Sequence, residues 1–296
     1  MKRKVFMTVL GVLALAGAVS CNNKGKEGND PKEDSSASLW KMKNYPIEKV
    51  EVYSGETLLE TFSFTYDKNG CVSTLVRTDN IKGTTLLNLT YSYSGEGDMT
   101  YTGKYYAIAS DRTVHASLDA SKRTVTWKGD WSGAWPCTLS YGSDGTILKT
   151  EADLDYTSAE GYYSSSTTYQ EQYTASGGDV KKVLTGTDIA TKTSRPTTSA
   201  SSSDLEINYT YTNKVDNQNF GVFLMNGDFP IWFAKELPGC KHLISGMSMK
   251  RGELTLPQSF TVDYTLNIDG DIETATRTDY NAGEAVLVRT YKFTYL

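Results

Sequence analysis

Alternation of apolar and polar residues along most of the chain is the feature that most limits its possible folds. Phe62 and Phe64 alternate with Ser63 and Thr65, the pattern of a strand with one buried face. The same pattern recurs in four further segments: Leu87–Tyr93, Leu205–Tyr211, Phe260–Ile268 and Tyr291–Tyr295. Thr, Tyr and Val fill these segments, as their strand propensities favour. The sequence therefore predicts an all-β fold.

Turn signals separate the predicted strands. Asn69-Gly70, Asp144-Gly145 and Asp269-Gly270 are dipeptides that accept the positive φ of tight hairpin turns. A strand end followed four residues later by glycine recurs, as from Tyr66 to Gly70. Repeated hairpins of about 20 residues predict a large curved antiparallel meander of roughly 13 to 16 strands. We expect an open or partly closed barrel-like sheet.

Two segments interrupt this pattern. Ser194–Ser203 is polar throughout and is predicted to be a loop. Asn217–Gly246 holds the densest apolar stretch after the N-terminal run, without strict alternation. Within it, Pro230 suits a helix start and Pro238-Gly239 suits a helix end. We therefore expect one short helix at Phe229–Leu237 (229–237), which plugs or caps the sheet.

The N-terminus has the form of a secretory signal peptide. Three basic residues, Lys2 to Lys4, precede an apolar run that ends at Val19, shorter than the roughly 20 residues a spanning helix needs. The small residues before Cys21 resemble the bacterial lipobox, which predicts lipidation of Cys21 and attachment to the outer membrane of the cell envelope. We expect a signal peptide at 1–20, the lipidated cysteine and a polar tether at 21–38, and a single antiparallel β domain at 39–296.

Charge and cysteine content exclude several classes of protein. Residues 1–20 hold three basic and no acidic residues, so their removal takes the formal charge from −5 to −8. No basic patch stands out, which argues against nucleic acid as a partner. Cys71, Cys137 and Cys240 are an odd number at wide spacing, unlike a disulfide scaffold or a zinc site. One disulfide with one thiol, or three thiols, remain open.

Trp127, Trp131 and Trp135 are the predicted ligand-binding residues. They are spaced by four among glycines, and an exposed indole ring can stack on a sugar ring. The alternative role for the three rings is packing in the core and in hairpins. The same alternative applies to the 20 tyrosines, which can stabilise a sheet as cross-strand pairs.

Other polar groups are weaker candidates. Glu151, Asp153 and Asp155 share one strand face, which suits Ca²⁺ or acid–base chemistry but also an ordinary solvated face. Asp269-Gly270-Asp271 lacks the remaining ligands of a calcium loop and is predicted to be a turn. His115 and His242 belong to no hydrolase or metal motif. We therefore predict no catalytic residues, no metal and no cofactor.

The chain resembles one family. The lipobox, the hairpin Phe64–Gly70 and the segment Lys241-His242-Leu243 are similar to lipoproteins of gut Bacteroidota that have a porin-like fold. This resemblance covers about residues 40–296 and implies a strongly curved antiparallel sheet or open barrel. It implies no catalytic or binding residues.

Three functions are compatible with these features. The first is a non-enzymatic binding or structural module of the outer membrane that engages a glycan or an envelope protein. The second is a carrier or chaperone whose apolar ligand lies inside the curved sheet, with the 220–237 segment as a plug. The third is a hydrolase that uses carboxylates such as Glu151 and Asp153. We favour the first.

Overall fold

The fold was analysed in a computed structural model of the chain. It describes residue 40 and residues 46–94, 97–105, 110–130, 136–143, 147–157, 163–176, 179–192, 198–226 and 239–296, with the side chains of 150–204 left out. The predicted signal peptide, Cys21 and the tether lie outside the described residues. Within them, no helix has the length and apolar content needed to cross a membrane.

Sixteen strands and one short helix form within the described residues. The elements are β1 Ile47–Ser54, β2 Thr57–Tyr66, β3 Val72–Asp79, β4 Thr84–Ser94, β5 Asp98–Tyr105, β6 Arg112–Asp119, β7 Thr124–Gly129, β8 Cys137–Tyr141, β9 Ile147–Thr157, β10 Tyr163–Ser176, β11 Asp179–Lys192, β12 Thr198–Val215, α1 Phe220–Asn226, β13 His242–Arg251, β14 Leu254–Leu266, β15 Ile272–Asn281 and β16 Glu284–Tyr295. The predicted all-β class and number of strands are confirmed.

Every strand pairs antiparallel with the next, and the first strand pairs with the last. Val52 lies opposite Tyr291 in the β1–β16 pair, so the sheet closes into a barrel. The predicted curved meander is confirmed. Closure gives every strand a neighbour on both sides, although residues 153–157 of β9 and 198–204 of β12 pair on one side only.

Sequence alternation becomes the two faces of the barrel wall. Phe62 and Phe64 are buried, whereas Ser63 and Thr65 between them are exposed. Leu87, Leu89 and Tyr91 of β4 are buried in the same way, and the polar residues between them are exposed. The apolar face therefore points inward and builds the core, and the polar face points outward.

Two parts of the chain repeat each other at a spacing of 200 residues. Across the two segments the identical positions are Thr61 and Thr261, Thr65 and Thr265, Gly70 and Gly270, Thr74 and Thr274, Arg77 and Arg277, Thr78 and Thr278, Asp79 and Asp279, Gly83 and Gly283, Leu87 and Leu287, Thr90 and Thr290, and Tyr91 and Tyr291. Both turns are built alike, since the side chains of Asp67 and Asn267 each accept two backbone N–H groups within the turn. The β2–β4 and β14–β16 segments are thus two copies of one meander.

Four tyrosine side chains bond to backbone carbonyls at one end of the barrel. Their hydroxyls donate to carbonyls of the preceding strands: Tyr66 to Ile47, Tyr93 to Val72, Tyr264 to Ile244 and Tyr295 to Ile272. Burial raises the pKa of all four hydroxyls, so they remain neutral donors. Their regular placement explains part of the tyrosine abundance as packing.

Helix α1 fills the barrel at this same end, which we call the α1 end. The carboxylate of Asp216 accepts hydrogen bonds from the backbone N–H groups of Phe220 and Gly221 at 2.9 and 2.7 Å, which caps the helix. Phe220 is fully buried and packs edge-on against Tyr291 and Phe293. One short helix is thus described, at Phe220–Asn226. The predicted span 229–237 lies wholly outside the described residues, so a helix there stays a prediction.

The prediction of a loop at 194–203 is wrong for most of that stretch. The polar stretch 194–203 was expected to be a loop, but β12 begins at Thr198 and pairs with β11 from Thr191 onward. Backbone hydrogen bonds to β11 hold residues 198–204 without an apolar anchor, and pairing with β13 begins only at Leu205. For the cysteines, no disulfide joins Cys71, Cys137 and Cys240, so the three-thiol alternative applies.

Candidate functional site

A cleft of about 500 Å³ lies at the wall formed by β5, β6, β7 and the start of β8. Its polar lining is made by Ser94, Asp98, Thr100, His115, Ser117, Thr126, Lys128 and Thr138, and its remaining lining by Met99, Ala116, Trp127, Pro136 and Cys137. This volume falls within the range of small-molecule sites.

Strand register explains which lining groups belong together. Residues directly opposite each other in a sheet share a face. Thr100, His115 and Lys128 form one such row. A parallel row runs from Asp98 through Ser117, Thr126 and Thr138. His115 and Lys128 are exposed. Both rows therefore belong to the outer face of the barrel.

The outer rows present several kinds of polar group within one cleft. The Thr100 hydroxyl and His115 Nδ1 are hydrogen-bonded at 3.2 Å, which fixes the imidazole ring against β5. The Asp98 carboxylate accepts hydrogen bonds and the Lys128 ammonium donates them, with threonine and serine hydroxyls between. Such a mixture suits a neutral ligand with many hydroxyl groups better than an apolar one.

Trp127 reaches the cleft from the opposite face of the sheet. It lies in the row of Met99 and Ala116, both buried, so its position in the register is inward. The indole is partly buried and packs against the core. The structure therefore gives Trp127 the packing role that was the alternative to ligand stacking, although the residue also lines the cleft.

Trp131 and Trp135 lie outside the described residues. Both fall in the connection between β7 and β8, whose two ends, Gly129 and Cys137, are described. Pro136 follows Trp135 directly and lines the cleft. Trp127, which begins the predicted tryptophan motif, and Pro136, which directly follows it, thus both line the cleft. Stacking by Trp131 and Trp135 stays a prediction.

The weaker sequence candidates lie on β9, in the turn before β15 and at the start of β13. Glu151, Asp153 and Asp155 lie on β9, and their side chains are not among those described. Asp269-Gly270-Asp271 forms the predicted turn, in which the Gly270 N–H donates to the Asn267 carbonyl at 3.1 Å. His242 begins β13, far along the chain from His115. Across the described ranges, no group of three His, Cys, Asp or Glu residues is arranged to hold a metal ion.

Sequence reasoning did not single out Asp98, Thr100 or Lys128. Each occupies a polar position of an alternating strand, as do many outward residues of this chain. Only the pairing of β5 with β6 and of β6 with β7 brings the three together. Because that information is tertiary, no local signal distinguishes them from other surface residues.

Comparison with known proteins gives a fold and no function. No protein-family model matches the chain, and neither does any curated protein. Among solved structures, a porin-like protein from Bacteroides vulgatus ATCC 8482 is similar, with a TM-score of 0.52 and 16% identity over 86% of this chain and 99% of that one. A porin-like protein from Bacteroides uniformis ATCC 8492 has a TM-score of 0.52 and 13% identity, covering 88% of this chain and 100% of its own. The chain therefore has the porin-like fold seen in these Bacteroides proteins.

Proposed function

We propose that this protein is a lipid-anchored envelope protein whose barrel acts as a non-enzymatic glycan-binding module. The observation that carries the proposal is the cleft on the β5–β8 wall, with its hydroxyl, imidazole, carboxylate and ammonium groups. Sugars offer alternating hydroxyl donors and acceptors, which these groups match. The tryptophan-bearing β7–β8 connection adds aromatic rings next to the same cleft.

The polarity of the wall supports a barrel that stands in water beside the membrane. Membrane-spanning barrels carry an apolar band on their outer face. Here Ser63, Thr65, Asn88, Thr90 and Ser92 face outward, and Phe and Leu face inward. Attachment is then left to the lipid on Cys21, which contributes about 0.8 kcal/mol for each methylene buried in the bilayer.

The interior packing does not favour the carrier alternative. Phe220 of α1 contacts Phe223, Tyr264, Tyr291 and Phe293, with ring centroids 5.3 to 6.4 Å apart. These rings occupy the space at the α1 end that an apolar ligand would need. A binding surface on the outer wall requires no such space.

Glycan binding is testable with two matched threonine variants. The purified full chain in detergent would be screened against a glycan array, and hits would be measured by calorimetry. Thr100→Val removes the hydroxyl that holds His115 in the cleft. Thr265→Val removes a similar hydroxyl, which bonds Thr274 at 2.7 Å on the outer wall outside the cleft.

We expect Thr100→Val to weaken binding by about 5- to 30-fold, corresponding to about 1–2 kcal/mol for one lost hydrogen-bonding group. Thr265→Val should bind like the unmodified protein. Equal affinities for all three proteins would remove the cleft from the proposal. The anchor is tested separately, since Cys21→Ser should abolish incorporation of labelled fatty acid.

A further inference from the structure

We propose a second site inside the barrel, which binds a small oxyanion (a carboxylate, sulfate or phosphate group) between Arg277 and Arg289 next to the Tyr291 hydroxyl. It is separate from the outer cleft, and it does not depend on glycan binding. Three observations carry it: the placement of two arginines on one inward face, the charges around them, and the internal repeat.

The two arginines lie directly opposite each other. Arg277 of β15 pairs with Arg289 of β16, so their side chains leave the sheet on the same face. Val262 of β14 is the other partner of Arg277, and it is buried. Tyr291, two residues after Arg289, is also buried. That face is therefore the interior of the barrel.

This arrangement of two arginines is unfavourable when no anion is bound. Like charges directly opposite each other destabilise a sheet, and a guanidinium group does not lose its proton to relieve the repulsion. Each arginine is only partly exposed. An oxyanion between them would turn the repulsion into two charge-assisted hydrogen bonds.

Arg277 is held in place and Arg289 is left available. Arg277 donates to Asp279 Oδ1 from Nε at 2.9 Å and from Nη2 at 2.7 Å. Its guanidinium also lies 4.1 Å from the centre of the Phe260 ring. Within the described part of the chain, the Arg289 side chain has neither a carboxylate partner nor a hydrogen bond.

The wider set of charges remains positive. Arg277, Arg289, Asp279 and Glu60 all act electrostatically on the Tyr291 hydroxyl, whose pKa is raised chiefly by burial. Glu60 is itself paired with Arg77 at 2.8 Å. Asp79, opposite Glu60 in the sheet, is paired with Lys82 at 3.6 Å and accepts the backbone N–H groups of Ile81 and Lys82. Each of these carboxylates therefore has its own cationic partner, and Arg289 is the cation that remains. The neutral Tyr291 hydroxyl supplies a further donor of the kind an oxyanion accepts.

Aromatic rings pack next to the proposed site. Tyr291 packs against Phe220 and Phe223 of α1, with ring centroids at 5.4 and 5.9 Å. Phe62 packs against Phe223 from the other side at 6.0 Å. Aromatic rings below the arginines lower the local dielectric constant and strengthen the attraction for an anion.

The internal repeat shows that the fold does not require the second arginine. Arg77 is the counterpart of Arg277 at the 200-residue spacing, and it is likewise paired with a carboxylate, that of Glu60. On its other side, however, Arg77 lies opposite Leu87, and the counterpart of Arg289 at the 200-residue spacing is Leu89, so leucine stands there in either comparison. The first copy of the meander therefore forms with leucine at the place where the second copy has Arg289. The added cation has a role beyond folding.

Arg289→Leu copies the first repeat and is the test variant, with Arg251→Leu as control because Arg251 is exposed at the end of β13. The full chain would be titrated by calorimetry with sodium sulfate, phosphate or acetate at ionic strength matched with sodium chloride, because sulfate and phosphate also stabilise proteins nonspecifically. Comparing the three anions distinguishes which oxyanion class is preferred. Glycan affinity should be the same for all variants.

We expect binding by the unmodified protein and by Arg251→Leu, and at least tenfold weaker binding by Arg289→Leu. Arg289→Leu should also melt at a higher temperature than the unmodified protein when no oxyanion is present, because the repulsion is gone. Equal anion affinity in the unmodified protein and Arg289→Leu would overturn the proposal. So would the absence of binding by the unmodified protein.

Discussion

Removal of the Phe220 ring is the most direct test of the barrel interior. Phe220 is fully buried and contacts four aromatic rings: those of Phe223, Tyr264, Tyr291 and Phe293. Phe→Ala changes in protein cores cost about 3–5 kcal/mol, and a ring with this many neighbours leaves a cavity that cannot easily collapse. We expect Phe220→Ala to lower the free energy of unfolding by about 4 kcal/mol.

The assay is urea unfolding followed by tryptophan fluorescence, with the free energy taken from the linear extrapolation. Ile268→Ala is the control, because Ile268 is fully exposed at a turn and should change stability by less than about 0.5 kcal/mol. A loss below about 1.5 kcal/mol for Phe220→Ala would refute the argument that α1 fills the barrel.

Three further changes test the wall. Gly103→Ala should destabilise strongly, because its Cβ would lie 1.9 Å from the Asn88 carbonyl oxygen. Gly252→Ala, also at a positive φ (58° against 151° for Gly103), meets no neighbour within 4 Å and should cost less, as thermal melting of the two variants would show. Asp216→Ala should cost about 1–2 kcal/mol in urea unfolding, since α1 loses its cap. The Tyr264 hydroxyl loses its proton more easily in the unfolded chain, because burial raises its pKa in the folded protein. The free energy of unfolding should therefore fall as pH rises above about 10, and it should fall less steeply in Tyr264→Phe.

The sequence predicts the wall of the barrel better than its contents. Alternation at Phe62 and Phe64 and the turn at Gly70 are local signals, so strands and hairpins follow directly from them. Closure is not local, because it depends on the pairing of β1 with β16 from opposite ends of the chain. The expectation of an open or partly closed sheet could not decide this point.

The position of the helix shows a different limit. Pro230 and Pro238 predict a helix at 229–237, which lies outside the described residues and stays a prediction. The described helix begins at Phe220, and its start depends on Asp216, which lies four residues earlier and reaches the backbone of Phe220 and Gly221. The proline signals do not point to Asp216, so they do not predict this helix.

The lumenal arginines had a signal that sequence reasoning did not use. Arg77 is in phase with Leu75, and Arg289 is in phase with Tyr291, so each charge occupies an inward position of an alternating strand. Such a violation of alternation marks a candidate functional residue. The outer cleft offers no such violation, because all its polar groups obey the pattern.

Pairing of the first strand with the last has a consequence for biogenesis. Val50 pairs with Phe293, and the Leu296 N–H donates to the Pro46 carbonyl at 3.0 Å, so β1 lacks its second neighbour until β16 has been synthesised. Contacts this distant in sequence form slowly. During that interval the unpaired edge of β1 can recruit strands of other molecules. Folding of this protein therefore requires that nascent chains be kept apart until their C-terminal strand is available.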